Sequence, residues 1–172
     1  YVPTNCMLNE DKEKNIRYYQ YTAIDEYSRQ RVVMATKEHS TYESAKFVKL
    51  IIKKFKFNIE TVQTDNGLEF TNRLSYKADR NTKTFFEKEL ELNNIKHKLI
   101  KPRTPKQNGK VERSHRKDQE NLYYEQKFLN FEDFKRKLSR WIREYNNTGM
   151  KPLNWKSPNQ ILEEYMKLTA EK

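Results

Sequence analysis

Two carboxylates stand where metal chemistry could be built. Asp65 ends the stretch "IETVQTD" at residues 59–65 and is followed by Asn66 and Gly67 in "VQTDNGLEF". Glu112 lies in "TPKQNGKVERSH", residues 104–115, and is the only acid between Glu91 and Asp118. Around it, from Lys96 to Lys117, are nine Lys or Arg residues. A strand-end carboxylate and a helix-borne one can converge on a divalent cation, and Mg²⁺ takes one or two carboxylates plus substrate phosphate. Paired ions then clamp the attacking and leaving oxygens of an in-line phosphoryl displacement. The cationic neighbours would hold a phosphate backbone beside the metal. Taken singly, each acid also has a plainer reading. Asp-Asn-Gly is a common turn, and a helical Glu112 would pair with Arg116 one turn on.

The overall charge fits a polyanionic partner. Lys and Arg number 35 against 24 Asp and Glu, a net charge of +11 that is concentrated around Glu112. Such a stripe suits nucleic acid. The 172-residue length is enough for one globular core, and the 13% aromatic content argues against disorder. Cys6 is the single cysteine, so no internal disulfide forms and the fold does not depend on an oxidising compartment. His39, His97 and His115 lie too far apart to read as a zinc module. The longest apolar stretch, Phe47 to Ile52, is broken by Lys49 and is far too short for a membrane span. No signal peptide is visible. A cytoplasmic location is the expectation, and abundant Lys, Asn, Ile and Tyr point to an AT-rich bacterial genome.

The elements that must position these residues can be read from pattern. "RYYQYTAID" (17–25) and "QRVVMAT" (30–36) carry aromatic and β-branched residues and predict two strands of a hairpin. Ser40 and Glu43 form a capping-box pattern, and Val48, Ile51, Ile52 and Phe55 recur at helical spacing, predicting a helix over about 41–56. Residues 59–65 predict a short strand, 71–82 a loop, 84–92 a helix and 95–100 another strand. The helix bearing Glu112 starts at Thr104-Pro105 or after Gly109, and should run to about Lys127. Asn130 caps a further helix with Phe131, Phe134, Leu138, Trp141, Ile142 and Tyr145 on one face, and a loop and short helix follow. The order predicts an α/β domain with a mixed sheet. Residues 1–128 form the expected core and 129–172 a helical extension of it.

Four stretches in this order, "YTAIDEYSRQRVV", "VQTDNGLEF", "IKHKLIKPRTPKQNGKVERSHR" and "WIREYNNTGMKPLNWKSPNQIL", cover most of the chain. Together they resemble the catalytic core of bacterial insertion-sequence transposases and retroviral integrases. The resemblance implies a ribonuclease-H-like fold, a mixed central sheet flanked by helices, and an Asp-Asp-Glu site holding two Mg²⁺ or Mn²⁺ ions. It implies hydrolysis of DNA phosphodiesters followed by strand transfer. Asp65 matches the second catalytic Asp and Glu112 the catalytic Glu. Asn108 and Gly109 match the active-site loop, Arg116 a DNA-contacting position, and Lys110 and Arg113 are further phosphate contacts. The implied partners are element-end and target DNA, with room for a homo-oligomer in the full protein.

Two departures qualify the match. Asp65 and Glu112 are 47 residues apart, longer than the resemblance leads one to expect, and the 71–82 loop can absorb the excess. Tyr1-Val2-Pro3 matches only the tail of the segment carrying the family's first Asp, so that residue is expected just upstream of Tyr1. Asp25 is the alternative carboxylate, although Asp at its place at a strand end usually serves a turn. A chain with two of three carboxylates could also be a non-enzymatic DNA-binding module. A ribonuclease-H-type nuclease is the other alternative, and "SPNQIL" argues against it.

Overall fold

The computed structural model describes residues 2–8, 13–76, 79, 81–101, 109–124 and 126–170. Strands β1 (Tyr19–Ile24) and β2 (Arg31–Thr36) form the expected hairpin, antiparallel, with Tyr19 opposite Thr36 and Ile24 opposite Arg31. Its period-two pattern feeds two cores. Tyr21 and Val32, with Ala23 and Met34, face helix α1 (Thr41–Lys54) through Phe47 and Ile51. Val33 and Ala35 face the opposite way, toward Phe134 and Leu138.

Ser40 starts α1 by accepting a hydrogen bond from Glu43 N–H at 3.3 Å. The Glu43 side chain does not complete a capping box; it pairs with Lys46 at 2.6 Å. The full box appears on α2 (Phe85–Leu92), where Thr84 and Glu87 satisfy each other's backbone N–H groups. Helix α2 is the crossover joining β3 (Thr61–Thr64) to β4 (Lys96–Leu99) in a parallel pair, Thr61 opposite Lys96 and Thr64 opposite Leu99. Val48, Phe86, Leu90 and Ile95 pack α1 against α2 and the entry to β4.

Helix α3 (Gly109–Asp118) carries Glu112 in its first turn. The expected continuation to about Lys127 is not α-helical: a π-helical turn spans Gln119–Tyr123. The wider turn places Leu122 and Tyr123 in the core while Asp118 stays buried beside Arg31. Helix α4 (Phe131–Asn147) is capped by Asn130, which accepts from Asp133 N–H at 2.9 Å. A 3-10 turn (Lys151–Leu153) and helix α5 (Pro158–Ala170) end the chain.

The β1–β2 and β3–β4 pairs are separate two-stranded sheets among the described residues, one antiparallel and one parallel. Among the described residues no helix is long and apolar enough to cross a membrane.

Candidate active site

Asp65 follows the last residue of β3 and is exposed. Its neighbours lock the turn. Gly67 N–H donates to Asp65 Oδ1 at 3.0 Å, an Asx turn. Asn66 Nδ2 donates to Ile100 C=O at 3.0 Å, tying the turn to the end of β4. Thr64 Oγ1 lies 2.8 Å from both Asp65 C=O and His97 Nε2. Burial against the Phe86 ring lowers the His97 pKa below the usual imidazole value, opposed by the charge of Glu87. With the Thr64 hydroxyl proton given to Asp65 C=O, a neutral ring protonated on Nε2 donates to Thr64 Oγ1.

Glu112 is exposed on the first turn of α3. An anionic side chain is favoured there by the helix dipole. The pairing with Arg116 is not what holds it, because Arg116 is bonded to Glu120 at 3.1 Å instead.

Asp65 and Glu112 line one cleft of about 1010 Å³. All of β1 and all of β3 form its walls, and Lys110, Val111 and His115 stand with Glu112 along α3. Lys110 reaches the hairpin turn, 3.2 Å from Glu26 Oε2. Asp25 also lines the cleft, but its Oδ2 accepts from both Ser28 N–H and Ser28 Oγ at 2.7 Å. That pairing closes the turn before Arg29, which has a left-handed φ of 65°. Arg113 and Arg116 are exposed on α3 and do not line the cleft. Gly109 is the first residue of α3, and Asn108 lies outside the described residues.

The cleft holds groups that pattern reading passed over. Glu69 pairs with His39 at 2.9 Å, and His39 stacks on Tyr19 and Tyr21 with centroids 5.3 and 6.1 Å away. Burial, followed by the Glu69 charge, holds the Tyr21 phenol well above its ordinary pKa, so it stays protonated and donates to Ser40 C=O at 3.1 Å. Glu69 sits in "TDNGLEF" and could have been found there. His39 has no local signal, because its partners come from β1 and from the loop carrying Glu69.

Asp65 and Glu112 are oxygen donors, the kind hard divalent cations prefer. Among the described residues no three His, Cys, Asp or Glu side chains are gathered to hold a metal ion.

The integrase core domain family matches residues 7–105, and a second family of the same description matches 93–149. The ORF3 protein of Spiroplasma virus SpV1-C74, named as a candidate integrase, is 33% identical over 154 residues, covering 85% of this chain and 42% of that protein. The chain thus spans less than half the length of this relative. The crystal structure of the BIV integrase catalytic core superposes with a TM-score of 0.59 at 17% identity, covering 88% of this chain and 89% of that one. A simian T-cell lymphotropic virus intasome, solved by cryo-EM in complex with the PP2A regulatory subunit B56 gamma, superposes with a TM-score of 0.58 at 18% identity, covering 87% and 49%. At that identity the likeness is one of fold, the ribonuclease-H-like fold of integrase cores.

Proposed function

The chain belongs to the integrase core domain family, and from that premise we propose that its parent protein cuts and joins DNA by metal-dependent phosphodiester chemistry. One observation carries the reading. Two exposed carboxylates 47 residues apart in sequence, Asp65 and Glu112, open onto the same cleft. Neither is needed to cap a helix or to neutralise a buried cation. When bound, two divalent ions would lower the pKa of the attacking water or 3′-hydroxyl and stabilise the leaving oxygen. Asp65 and Glu112 would hold the cations. Lys110, at the cleft, would lead the backbone toward them, and Arg113 and Arg116, exposed on α3, would bind phosphates beyond it. No covalent protein–DNA intermediate is required.

In this reading a third carboxylate on a further strand completes the site. The cleft supports this, because β1 and β3 face it along their whole lengths and each has one strand partner among the described residues. Val2 N–H donates to Tyr18 C=O at 3.0 Å, next to the first residue of β1. Residues 129–172 extend the same core, since Phe134 and Leu138 share a cluster with Val2 and Tyr18.

A binding-only role is the second reading, because the exposed Arg113 and Arg116 of α3 can hold phosphates without any metal. The same assay separates the readings. Full-length protein should nick supercoiled plasmid in Mn²⁺, and the 172-residue chain should bind DNA without nicking it. Asp65→Asn and Glu112→Gln should each abolish nicking in the full-length protein and leave DNA binding in place. Full activity in Glu112→Gln overturns the mechanism.

A further inference from the structure

Helix α3 is fastened to the β1–β2 hairpin at both ends, with Glu112 between the fastenings. At its start, Lys110 meets Glu26, whose side chain is 73% exposed. Such a pair contributes little, because solvent screens it. At its end, Asp118 meets Arg31, and the two side chains are 1% and 0% exposed. This second contact is bidentate, with Arg31 Nη1 to Oδ1 at 2.9 Å and Nη2 to Oδ2 at 2.6 Å. Trp141 Nε1 donates to Oδ1 at 2.7 Å and Gln20 Nε2 to Oδ2 at 2.8 Å. One carboxylate thus gathers donors from β1, β2 and α4.

The other groups around the pair restrict it further. Arg31 lies 4.7 Å from the centroid of the Tyr145 ring, and its backbone is held by Asn146. Tyr123 donates its hydroxyl to Gln20 Oε1, fixing the amide that points at Asp118. His115, one turn before Asp118 and one turn after Glu112, has Nδ1 3.8 Å from Asp118 Oδ2 and lines the cleft. The α-helix stops at Asp118 and becomes a π-turn at the next residue. π-Turns occur often at functional sites.

A buried ion pair is poor evidence of stability. Replacing it with apolar residues of similar size is often neutral or stabilising, whereas four directional bonds onto one carboxylate constrain geometry. Glu112 and Asp118, six helical steps apart, are separated by about 9 Å along the axis. A rotation or slide of α3 at Asp118 is therefore delivered to Glu112.

We propose that Asp118 is the positioning residue for Glu112: locked onto Arg31, Gln20 and Trp141, it sets the rotation and height of α3 against the hairpin and so places the Glu112 carboxylate in the cleft. The proposal rests on Glu112 acting as a metal-holding residue. A misplacement of about 1 Å can reduce turnover on the order of a hundredfold.

The test is Mn²⁺-dependent nicking of supercoiled plasmid by the full-length protein, with kcat and KM measured separately. Arg31→Met/Asp118→Leu exchanges the ion pair for apolar volume. Its Tm should be kept or raised, while kcat falls at least about tenfold and KM for plasmid stays within about twofold. Trp141→Phe, which deletes one bond onto Asp118 and keeps the aromatic packing, should lower kcat in the same sense by a smaller factor. If the double variant fails to fold, Trp141→Phe and Gln20→Met decide. Wild-type kcat in the folded double variant, or in both single variants when it does not fold, overturns the proposal. Glu112→Gln, run alongside, separates the two readings. If it nicks normally, the assignment of Glu112 is wrong; if it is inactive while the Asp118-network variants are normal, only the positioning role fails.

Discussion

Asn146 grips the backbone of Arg31 from both sides. Its Oδ1 accepts from Arg31 N–H at 2.9 Å, and its Nδ2 donates to Arg31 C=O at 2.9 Å. The side-chain amide thus acts as a strand neighbour at the first residue of β2, 115 residues away in sequence. Leaving buried backbone groups unsatisfied costs about 1–3 kcal/mol each. Asn146→Leu should lower the unfolding free energy by at least about 2 kcal/mol in urea denaturation. Asn146→Asp, which keeps the acceptor, should lose less. Equal losses for both variants would show that the paired geometry is not what matters.

Asp25 holds the hairpin turn through two bonds to Ser28. Asp25→Ala should therefore lower Tm, with a loss of about 1–2 kcal/mol, and Asp25→Asn should lose less because an amide oxygen still accepts. Thermal unfolding monitored by circular dichroism measures both. Loss of plasmid nicking in a full-length Asp25→Asn protein of unchanged Tm would instead make Asp25 part of the metal site.

Acid should weaken the start of α4. Burial works to raise the Asp133 pKa, but bonds from Arg136, the Leu129 N–H and Lys137 outweigh it and bring the value to about 2, against an ordinary 3.8. A carboxyl depressed by folding stabilises fully above the unfolded value and stops doing so as pH falls through the folded one. The stability gap between wild type and Asp133→Asn should be constant from pH 7 to 5 and close between about pH 4 and pH 2. A gap that persists at pH 2 would assign the effect to shape rather than charge.

DNA binding should be salt-dependent and tolerant of sequence. Log affinity should fall by about 0.9 per neutralised phosphate for each unit of log salt. Arg116, 80% exposed and paired only to the exposed Glu120 in the described structure, should contribute one such contact. Arg116→Ala should reduce affinity for all duplexes alike and shallow the salt slope by about 0.9. Fluorescence anisotropy across a salt series decides it, and an unchanged slope removes Arg116 from the interface.

Much of the fold was legible in the chain because it is written in local chemistry. The hairpin follows from the aromatic and β-branched residues of "RYYQYTAID" and "QRVVMAT", and α1 from Ser40 and the helical spacing of Val48 and Ile51. The β3 end at Asp65 follows from Asn66-Gly67, and α4 from Asn130 and its apolar face. These signals act over a few residues, within reach of a turn of helix or a strand's pleat. The exposed carboxylates could be singled out because Asp65 borders a turn and Glu112 stands alone among cations.

What only tertiary structure decided are the partners of the buried charges. Nothing near Arg31 in "SRQRVV" indicates that its carboxylate is Asp118, 87 residues away, or that Asn146 will pair with its backbone. Asp118 reads as one more helical acid, yet it is buried, four-fold bonded and the point where the α-helix gives way to a π-turn. Glu43 and Arg116 show the converse, each choosing Lys46 and Glu120 over the partner their spacing suggested. The physical reason is common to all of these. Hydrophobic periodicity states which face is buried, but a buried polar group is satisfied by whichever donor the packing of distant elements brings within about 3 Å.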